Sequence, residues 1–279
     1  MQIYFVLFLV FLFGLSIGSF INCLVWRLHV KKTILGRSLC PRCKKRIAWY
    51  DNIPLLSFLI LRGRCRNCRG RISWQYPAVE LGVGVLFCLS LLINFRFPIF
   101  NFSAQGGPAL GWQFPIPNIF TFNFLLLVFR DWFLIAAMAI IFLYDLKYYL
   151  IPDIIVLPAS AIIFLINILL GKDWQNLLIS VIIGAGFFLI QFLVSRGKWI
   201  GGGDIRLGLL IGASLGWPLV LYAIFLAYIL GSIVGIGLLV ARKKKWGSKL
   251  PFGAFLAPAA IIILFWGVRI AEWYWGVLM

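Results

Sequence analysis

Four cysteines in one polar segment have the spacing of a metal site. Cys40 and Cys43 form one Cys-x2-Cys pair, and Cys65 and Cys68 form a second pair after 21 intervening residues. Two such turns can present four thiolates to one zinc ion, and a site with four protein ligands leaves no position for water. The spacing therefore predicts a structural zinc site, with two disulfides or four metal-free thiols as alternatives.

Two aspartates stand at the edges of apolar runs in a chain with only eight acidic residues. Asp145 lies near the end of one run, and Asp204 follows a run of three glycines at the start of another. Two carboxyl groups held together away from water share one proton, so one can activate water while the other protonates a leaving amine. Ion pairing of Asp145 with Lys147 and N-capping of a helix by Asp204 are the open alternatives.

The remaining acids fit ordinary structural roles, with one exception. Asp153 follows Pro152 and is expected to cap a helix. Glu80 is the exception, because it lies just inside an apolar run where a charge is costly. Three further acids are predicted to be solvated at the outer surface: Asp131 next to Arg130, Asp173 next to Lys172, and Glu272.

Composition excludes an ordinary soluble protein. Hydrophobic residues make up 63% of the 279 residues and charged residues only 12%, with a mean hydropathy of +1.01. The sequence predicts an all-α polytopic membrane protein with about eight transmembrane helices and a small cytoplasmic zinc-binding loop domain. The apolar segments are 3–26, 77–95, 132–149, 154–170, 177–194, 205–215, 217–240 and 252–268.

The polar stretches divide these segments into three predicted regions: a first transmembrane helix over 1–26, the cysteine-bearing loop domain over 27–76, and a helical membrane core over 77–279. Within the core, 96–130 is expected to form an outer loop with an interfacial stretch. The segment 205–215 is too short for a straight span, which predicts a half-helix or a tilted one.

The basic residues orient the predicted spans. With the N-terminus outside, 22 of the 26 Lys and Arg residues fall on the cytoplasmic side, as the positive-inside rule requires. The net charge of +18 is explained by this asymmetry, so no nucleic-acid partner is predicted. Membrane lipids with anionic headgroups are the expected partners of the basic loop.

Several motifs in this order resemble type IV prepilin leader peptidases, and the resemblance covers nearly the whole chain. The second aspartate belongs to a Gly-x-Gly-Asp motif, and the two cysteine pairs flank the motif at residues 51–57. The motifs are Gly18-Ser19-Phe20-Ile21-Asn22, Cys40-Pro41-x-Cys43, Asp51–Ser57, Cys65-x-x-Cys68, Tyr76-Pro77-x-x-Glu80, Gly201-x-Gly203-Asp204 and Pro251–Phe255.

The resemblance implies a GxGD-type membrane aspartic peptidase. Asp145 and Asp204 match the two catalytic aspartates of the family, and the four cysteines match its cysteine tetrad. Gly201, Gly203 and Arg206 would support the catalytic loop. Arg206 stands where the family commonly has Lys, and the middle glycine, Gly202, is expected to make the loop more flexible.

The hypothesis from sequence is therefore a bacterial inner-membrane enzyme that cuts prepilin or pseudopilin leaders after a glycine on the cytoplasmic side. Such enzymes serve type IV pili and type II secretion, and bifunctional ones then methylate the new N-terminus with S-adenosylmethionine. Asp51, Glu80 and Asp153 are candidate contacts for the basic leader. The alternatives are a peptidase without methyltransferase activity, a proton- or ion-coupled transporter, and a scaffold that binds a partner through the zinc loop.

Overall fold

The computed structural model describes residues 2–33, 36–102, 122–245 and 248–278, and most of these residues are helical. In these ranges the β-type pairing consists of two isolated bridges, Leu39–Arg46 and Arg64–Arg71. The helices are α1 (Gln2–His29), α2 (Leu56–Ile60), α3 (Gln75–Phe102), α4 (Phe122–Tyr148), α5 (Asp153–Leu169), α6 (Trp174–Ser195), α7 (Gly202–Leu215), α8 (Leu219–Val240) and α9 (Gly253–Leu278).

The all-α membrane fold class predicted from the sequence is confirmed, since each of the eight apolar segments lies largely within a separate helix. Apolar runs in a bilayer form helices because a helix satisfies its own backbone hydrogen bonds. Six of the eight, α1, α3, α4, α6, α8 and α9, are long and apolar enough to span a membrane. The other two are shorter: α5 has 17 residues, and α7 has 14 and rises only about 21 Å.

One boundary differs from the prediction. The apolar stretch at the end of the predicted outer segment 96–130 is the first part of α4, which begins at Phe122. The sequence placed the start of this span at Trp132 because Arg130 and Asp131 interrupt the apolar pattern. The glycine- and proline-rich stretch predicted as an outer loop, 106–117, lies outside the described residues.

The chain divides into two compact units, Met1–Ile119 and Phe120–Met279. In the first unit α1 packs along α3, and small residues bring the two backbones together. A Cβ atom added at Gly14 or Gly18 would lie only 2.7 Å from the Cα of Gly84 or Glu80. The predicted three regions remain a prediction; in the structure α3 groups with α1 and the cysteine segment.

In the second unit the short helix α7 contacts α5, α6, α8 and α9. Its approach to α6 depends on glycines, because a Cβ at Gly208 would lie 2.4 Å from the carbonyl oxygen of Gly184. A Cβ at Gly212 would lie 2.5 Å from the carbonyl oxygen of Ser180. This central position buries the side chains at both ends of α7.

Candidate active site

Asp145 lies in the last turn of α4, and its side chain is buried inside the protein. Its side chain is only 4% exposed. One carboxylate oxygen, Oδ2, accepts a hydrogen bond of 3.0 Å from the backbone N–H of Ala254 at the start of α9. The proposed pairing with Lys147 is not formed, and no cation in the described part of the chain forms an ion pair with Asp145.

Asp204 lies in the first turn of α7 and is 7% exposed. The N-cap of the helix is Gly201, so the alternative that Asp204 is the N-cap is wrong. The Asp204 carboxylate instead reaches back and accepts a 3.1 Å hydrogen bond from the backbone N–H of Gly201. Gly202 is the first residue of the helix, so the glycine expected to add flexibility has helical backbone geometry.

The two aspartates occupy the same end of the second unit, close enough for an electrostatic interaction between their carboxyl groups. Ile151, in the turn between α4 and α5, packs against the start of α7 and the start of α9. A Cβ added at Gly203 would lie 2.9 Å from the Cβ of Ile151, and one at Gly253 would lie 2.9 Å from Oδ2 of Asp145. Glycine at both positions is therefore what allows the three segments to converge.

A tyrosine and a glutamine that the sequence reasoning did not single out lie beside this site. The Tyr228 hydroxyl on α8 donates a 2.8 Å hydrogen bond to Oε1 of Gln191 on α6. The Tyr228 ring lies 4.9 Å from the ring of Phe252, the residue before Gly253. The available signal was Gln191, an uncharged but polar side chain in an otherwise apolar stretch of α6.

Arg206 and Asp153 form an exposed ion pair that joins the first turns of α7 and α5. The sequence predicts Asp153 as the N-cap of α5, and this prediction is wrong. Pro152 occupies that position, and Asp153 is the first helical residue. The sequence placed both residues near the site, and the structure joins them to each other.

The acids of the first unit are both engaged in local contacts. Glu80, which is 7% exposed, accepts a 2.9 Å hydrogen bond from the backbone N–H of Leu55. Asp51 accepts hydrogen bonds from Arg66, the shortest 2.7 Å. These contacts order the segment before α2, and either acid would have to exchange or share them to bind a leader.

The cysteine segment folds into two matching turns. In each, the residue four positions after the first cysteine has a positive φ, 56° at Lys44 and 53° at Arg69. Each of these residues donates its N–H to the carbonyl oxygen of that cysteine over 2.9 Å, Cys40 in one turn and Cys65 in the other. The repeated geometry points the four thiols at one position.

The four thiols fit a tetrahedral zinc ion. Their Sγ atoms all lie within 4.8 Å of one another, and those of Cys40 and Cys68 are 3.9 Å apart. Zinc–sulfur bonds of about 2.3 Å would place ligand sulfurs about 3.8 Å apart. Burial raises the pKa of the Cys40 thiol, but hydrogen bonds from the backbone of Cys43 and Arg42 and from neighbouring thiols lower it to about 7. At Cys68 a backbone hydrogen bond from Gly70 lowers the pKa, but burial and the hydrogen bonds with the other three thiols raise it to about 11. The four thiols therefore titrate together, and a bound cation would favour the thiolate form of all of them.

Arg130 and Asp131, predicted to be solvated, are buried within α4, which corrects the sequence interpretation. Arg130 and Asp131 are 7% and 3% exposed, and the guanidinium donates to Oδ1 of Asp131 over 2.5 and 2.9 Å. Arg130 also donates to the side chain of Asn167, which in turn donates to the carbonyl oxygen of Ala213 over 2.7 Å. Asp173 is exposed as predicted, and it caps α6.

Basic residues concentrate at the end of the second unit that holds the two aspartates. Nine of its twelve Lys and Arg residues lie there, in the last turn of α4, the first turn of α7, and the loops before α7 and α9. The other three, Arg130, Lys172 and Arg269, lie toward the opposite end. The polar ends of this helical unit thus differ strongly in charge.

Comparison with known proteins identifies the family. The bacterial peptidase A24 N-terminal domain model matches residues 12–95, and the type IV leader peptidase family model matches residues 132–236. The prepilin leader peptidase/N-methyltransferase of Aeromonas salmonicida (strain A449) is 33% identical, with 97% of this chain and 94% of the relative covered. A relative of the same name from Legionella pneumophila is 30% identical, with 96% and 94% covered.

A third relative of that name, from Pseudomonas aeruginosa, is 29% identical, with 94% of this chain and 91% of the relative covered. No solved structure matches the chain. Nothing in these comparisons favours a transporter. With its helices apolar enough to cross a membrane and its similarity to these relatives over nearly their full length, the chain is an integral membrane enzyme that belongs to the type IV leader peptidase family.

Proposed function

We propose that this protein cleaves the leader of type IV prepilins or pseudopilins after a glycine, with Asp145 and Asp204 as the catalytic pair. The observation that carries the proposal is the placement of two buried carboxyl groups at one end of the second unit. Each is held by a backbone N–H, and no cation in the described residues neutralises either one. The names of the relatives, which are prepilin leader peptidases, support this substrate class.

In the proposed mechanism the two carboxyl groups share one proton, because two adjacent charges in a water-poor site are unfavourable. The ionised carboxylate takes a proton from water, whose oxygen attacks the carbonyl carbon of the glycine before the cut. The protonated carboxyl then gives its proton to the leaving amide nitrogen as the C–N bond breaks. The N–H groups of Gly201 and Ala254 hold the two carboxylates in place during these transfers.

We place the catalytic end of the second unit at the cytoplasmic face of the bacterial inner membrane, with the N-terminus outside. The asymmetry of basic residues supports this orientation, because nine of the twelve in that unit lie at the aspartate end. A prepilin carries its basic leader next to an apolar helix that stays in the bilayer. A catalytic pair at the membrane boundary is where such a junction would be cut.

We further propose that the four cysteines hold a structural zinc ion and that the enzyme methylates the new N-terminal amine. Zinc would cross-link the two cysteine turns and order the segment between α1 and α3. S-adenosylmethionine would supply the methyl group, as the N-methyltransferase names of the relatives suggest. Asp51, Glu80 and Asp153 remain candidate contacts for the leader.

Cleavage of a prepilin by the detergent-solubilised protein tests the catalytic pair. Asp145→Asn and Asp204→Asn should each leave at most a trace of cleavage, whereas Asp173→Asn should cleave normally. Asp173 is an exposed N-cap of α6 at the opposite end of the unit, and Asn caps a helix about as well as Asp. Wild-type cleavage by either active-site variant would disprove the pair.

Mass spectrometry of the mature product, made with isotope-labelled S-adenosylmethionine, tests methylation in the same reaction. A product that carries one labelled methyl group would support the bifunctional enzyme. An unmethylated product from active enzyme would mean that the protein has peptidase activity without methyltransferase activity. Metal analysis of the same preparation should find one zinc ion per chain, and Cys40→Ser should lose it.

A further inference from the structure

A cavity of about 510 Å³ lies between α2 and the second cysteine turn, within the first unit. Its walls combine apolar and basic side chains: Phe58, Leu59, Arg62, Arg64, Arg71 and Trp74. We call it the arginine pocket. The rings of Phe58 and Trp74 lie 4.9 Å apart and form its apolar wall.

The backbone around the arginine pocket is well fixed. Arg64 and Arg71 face each other in an antiparallel bridge. The N–H of Ile72 donates to the carbonyl oxygen of Gly63 over 2.7 Å, and the Phe58 ring packs against Gly63. Cys65 and Cys68 of the proposed zinc site lie between the two bridged arginines in the chain.

The charge of the pocket is unbalanced. Arg62, Arg64 and Arg71 are exposed, and none of them forms an ion pair with a carboxylate in the described residues. Arg66, the residue after Cys65, differs because it forms an ion pair with Asp51. The distance from Nη2 of Arg66 to Oδ1 of Asp51 is 2.7 Å. Three unpaired guanidinium groups around one cavity favour an anion, and guanidinium matches the geometry of phosphate oxygens.

The pocket also lies next to the start of a candidate membrane span. Trp74 immediately precedes α3, whose residues from Gln75 onward form a candidate span, and its side chain is 76% exposed. Tryptophan and arginine are common at the level of the lipid headgroups. The short helix α2 presents Leu59 and Ile60, 67% and 73% exposed, beside the same pocket. An apolar face of this kind is unfavourable in water and favourable against acyl chains.

We propose that the arginine pocket binds the phosphate of an anionic phospholipid, while the exposed apolar residues of α2 contact its acyl chains. The three arginines supply the charge for the headgroup, and Trp74 and Leu59 supply the apolar contact that a free phosphate would not use. The site would anchor the cysteine segment to the membrane surface. It does not depend on the peptidase function.

Native mass spectrometry of the full-length, zinc-loaded protein with phosphatidylglycerol or phosphatidylcholine tests the proposal. The variant with Arg62, Arg64 and Arg71 all changed to Gln should bind phosphatidylglycerol about 10- to 100-fold more weakly than the wild type. A matched control changes Lys44, Lys45 and Arg46 to Gln, which removes the same charge from the first cysteine turn. Equal unfolding midpoints and zinc contents of the two variants would show that both fold.

The proposal predicts that the control keeps its affinity for phosphatidylglycerol and that inorganic phosphate at millimolar concentration fails to displace the lipid. Equal losses in both triple variants would mean diffuse surface charge and would overturn the specific site. Displacement by phosphate would mean a site for free phosphate and would overturn it as well. An unchanged affinity of the pocket variant would do the same.

A second measurement needs no charge substitution. The emission of Trp74, taken as the difference between the wild type and Trp74→Phe, should be quenched by phosphatidylglycerol that carries a doxyl group near its headgroup. The same label on phosphatidylcholine should quench this emission several-fold less. Equal quenching by the two lipids would show that Trp74 senses the bilayer surface without a preference for the anionic lipid, contrary to the proposal.

Discussion

The helix α4 carries two buried acids, and their carboxyl groups have different partners. Asp131 and Asp145 are 14 residues apart, about 21 Å along the helix, and are 3% and 4% exposed. Asp131 accepts a hydrogen bond from the guanidinium of Arg130, whereas Asp145 accepts one from the backbone N–H of Ala254. Burial is therefore common to both acids, and what differs is whether a cation accompanies the charge.

This difference separates a structural acid from a chemical one. The charges of Arg130 and Asp131 cancel each other. Hydrogen bonds connect the pair through Asn167 to the carbonyl oxygens at the end of α7. It thereby fixes one end of the short helix. Asp204 lies at the other end of α7, on the same side of the unit as Asp145. Neither acid forms an ion pair with a cation of the described residues. A buried carboxyl without a counter-ion is free to exchange a proton, which is what acid–base chemistry requires.

Exchanging each acid for asparagine should separate the two roles. Asp145→Asn should lower the cleavage rate by about 10²- to 10⁴-fold, the usual contribution of a general acid or base. Its thermal unfolding midpoint should change little, because an amide oxygen still accepts from Ala254. Asp131→Asn should leave cleavage per folded molecule intact. Prepilin cleavage assays and unfolding scans on both variants check this. A lower cleavage rate per folded molecule in Asp131→Asn would contradict a purely structural role for Asp131.

Removing one partner of the Arg130–Asp131 pair should cost more stability than removing both. Arg130→Met leaves a buried carboxylate without its cation, which should destabilise the protein by about 3–5 kcal/mol. The double variant Arg130→Met/Asp131→Leu removes both charges and should recover most of that loss. Denaturation in detergent measures the free energy of unfolding, and a double variant as unstable as the single one would show that the ion pair itself stabilises the fold.

Two adjacent glycines allow a closer test of the active-site end. A methyl group at Gly203 would lie 2.9 Å from the Cβ of Ile151, whereas one at Gly202 meets nothing within 4 Å. Gly203→Ala should cost about 1–3 kcal/mol in strain and displace Asp204, which lowers kcat. Gly202→Ala should cleave at the wild-type rate. If the two variants were equally active, the contact with Ile151 would not position the catalytic carboxyl.

The smallest effect is expected for the exposed ion pair between Arg206 and Asp153. Both side chains are nearly half exposed, so breaking the pair should cost at most about 1 kcal/mol. Arg206→Lys keeps the charge and should change the unfolding midpoint and the cleavage rate only slightly. A large loss of cleavage with an unchanged midpoint would instead assign Arg206 a part in leader binding or catalysis.

Much of the fold could be predicted from local sequence patterns. Long apolar runs must become helices in a bilayer, so all eight were found, and α7 was recognised as too short for a straight span. The spacing of the four cysteines likewise encodes two turns that can close on one ion. Asp145 and Asp204 stood out because charge is rare in such segments.

The placement of side chains from distant parts of the chain required the tertiary structure. The sequence put Asp131 in water because it sits next to Arg130 at the edge of an apolar run, yet Asn167 on α5 and the end of α7 enclose the pair. Likewise, only packing shows that Gly203 meets Ile151. Hydropathy and spacing determine which residues form helices and turns, because those depend on neighbours in sequence; which buried acid keeps a counter-ion depends on neighbours in space, and only the packed helices decide that.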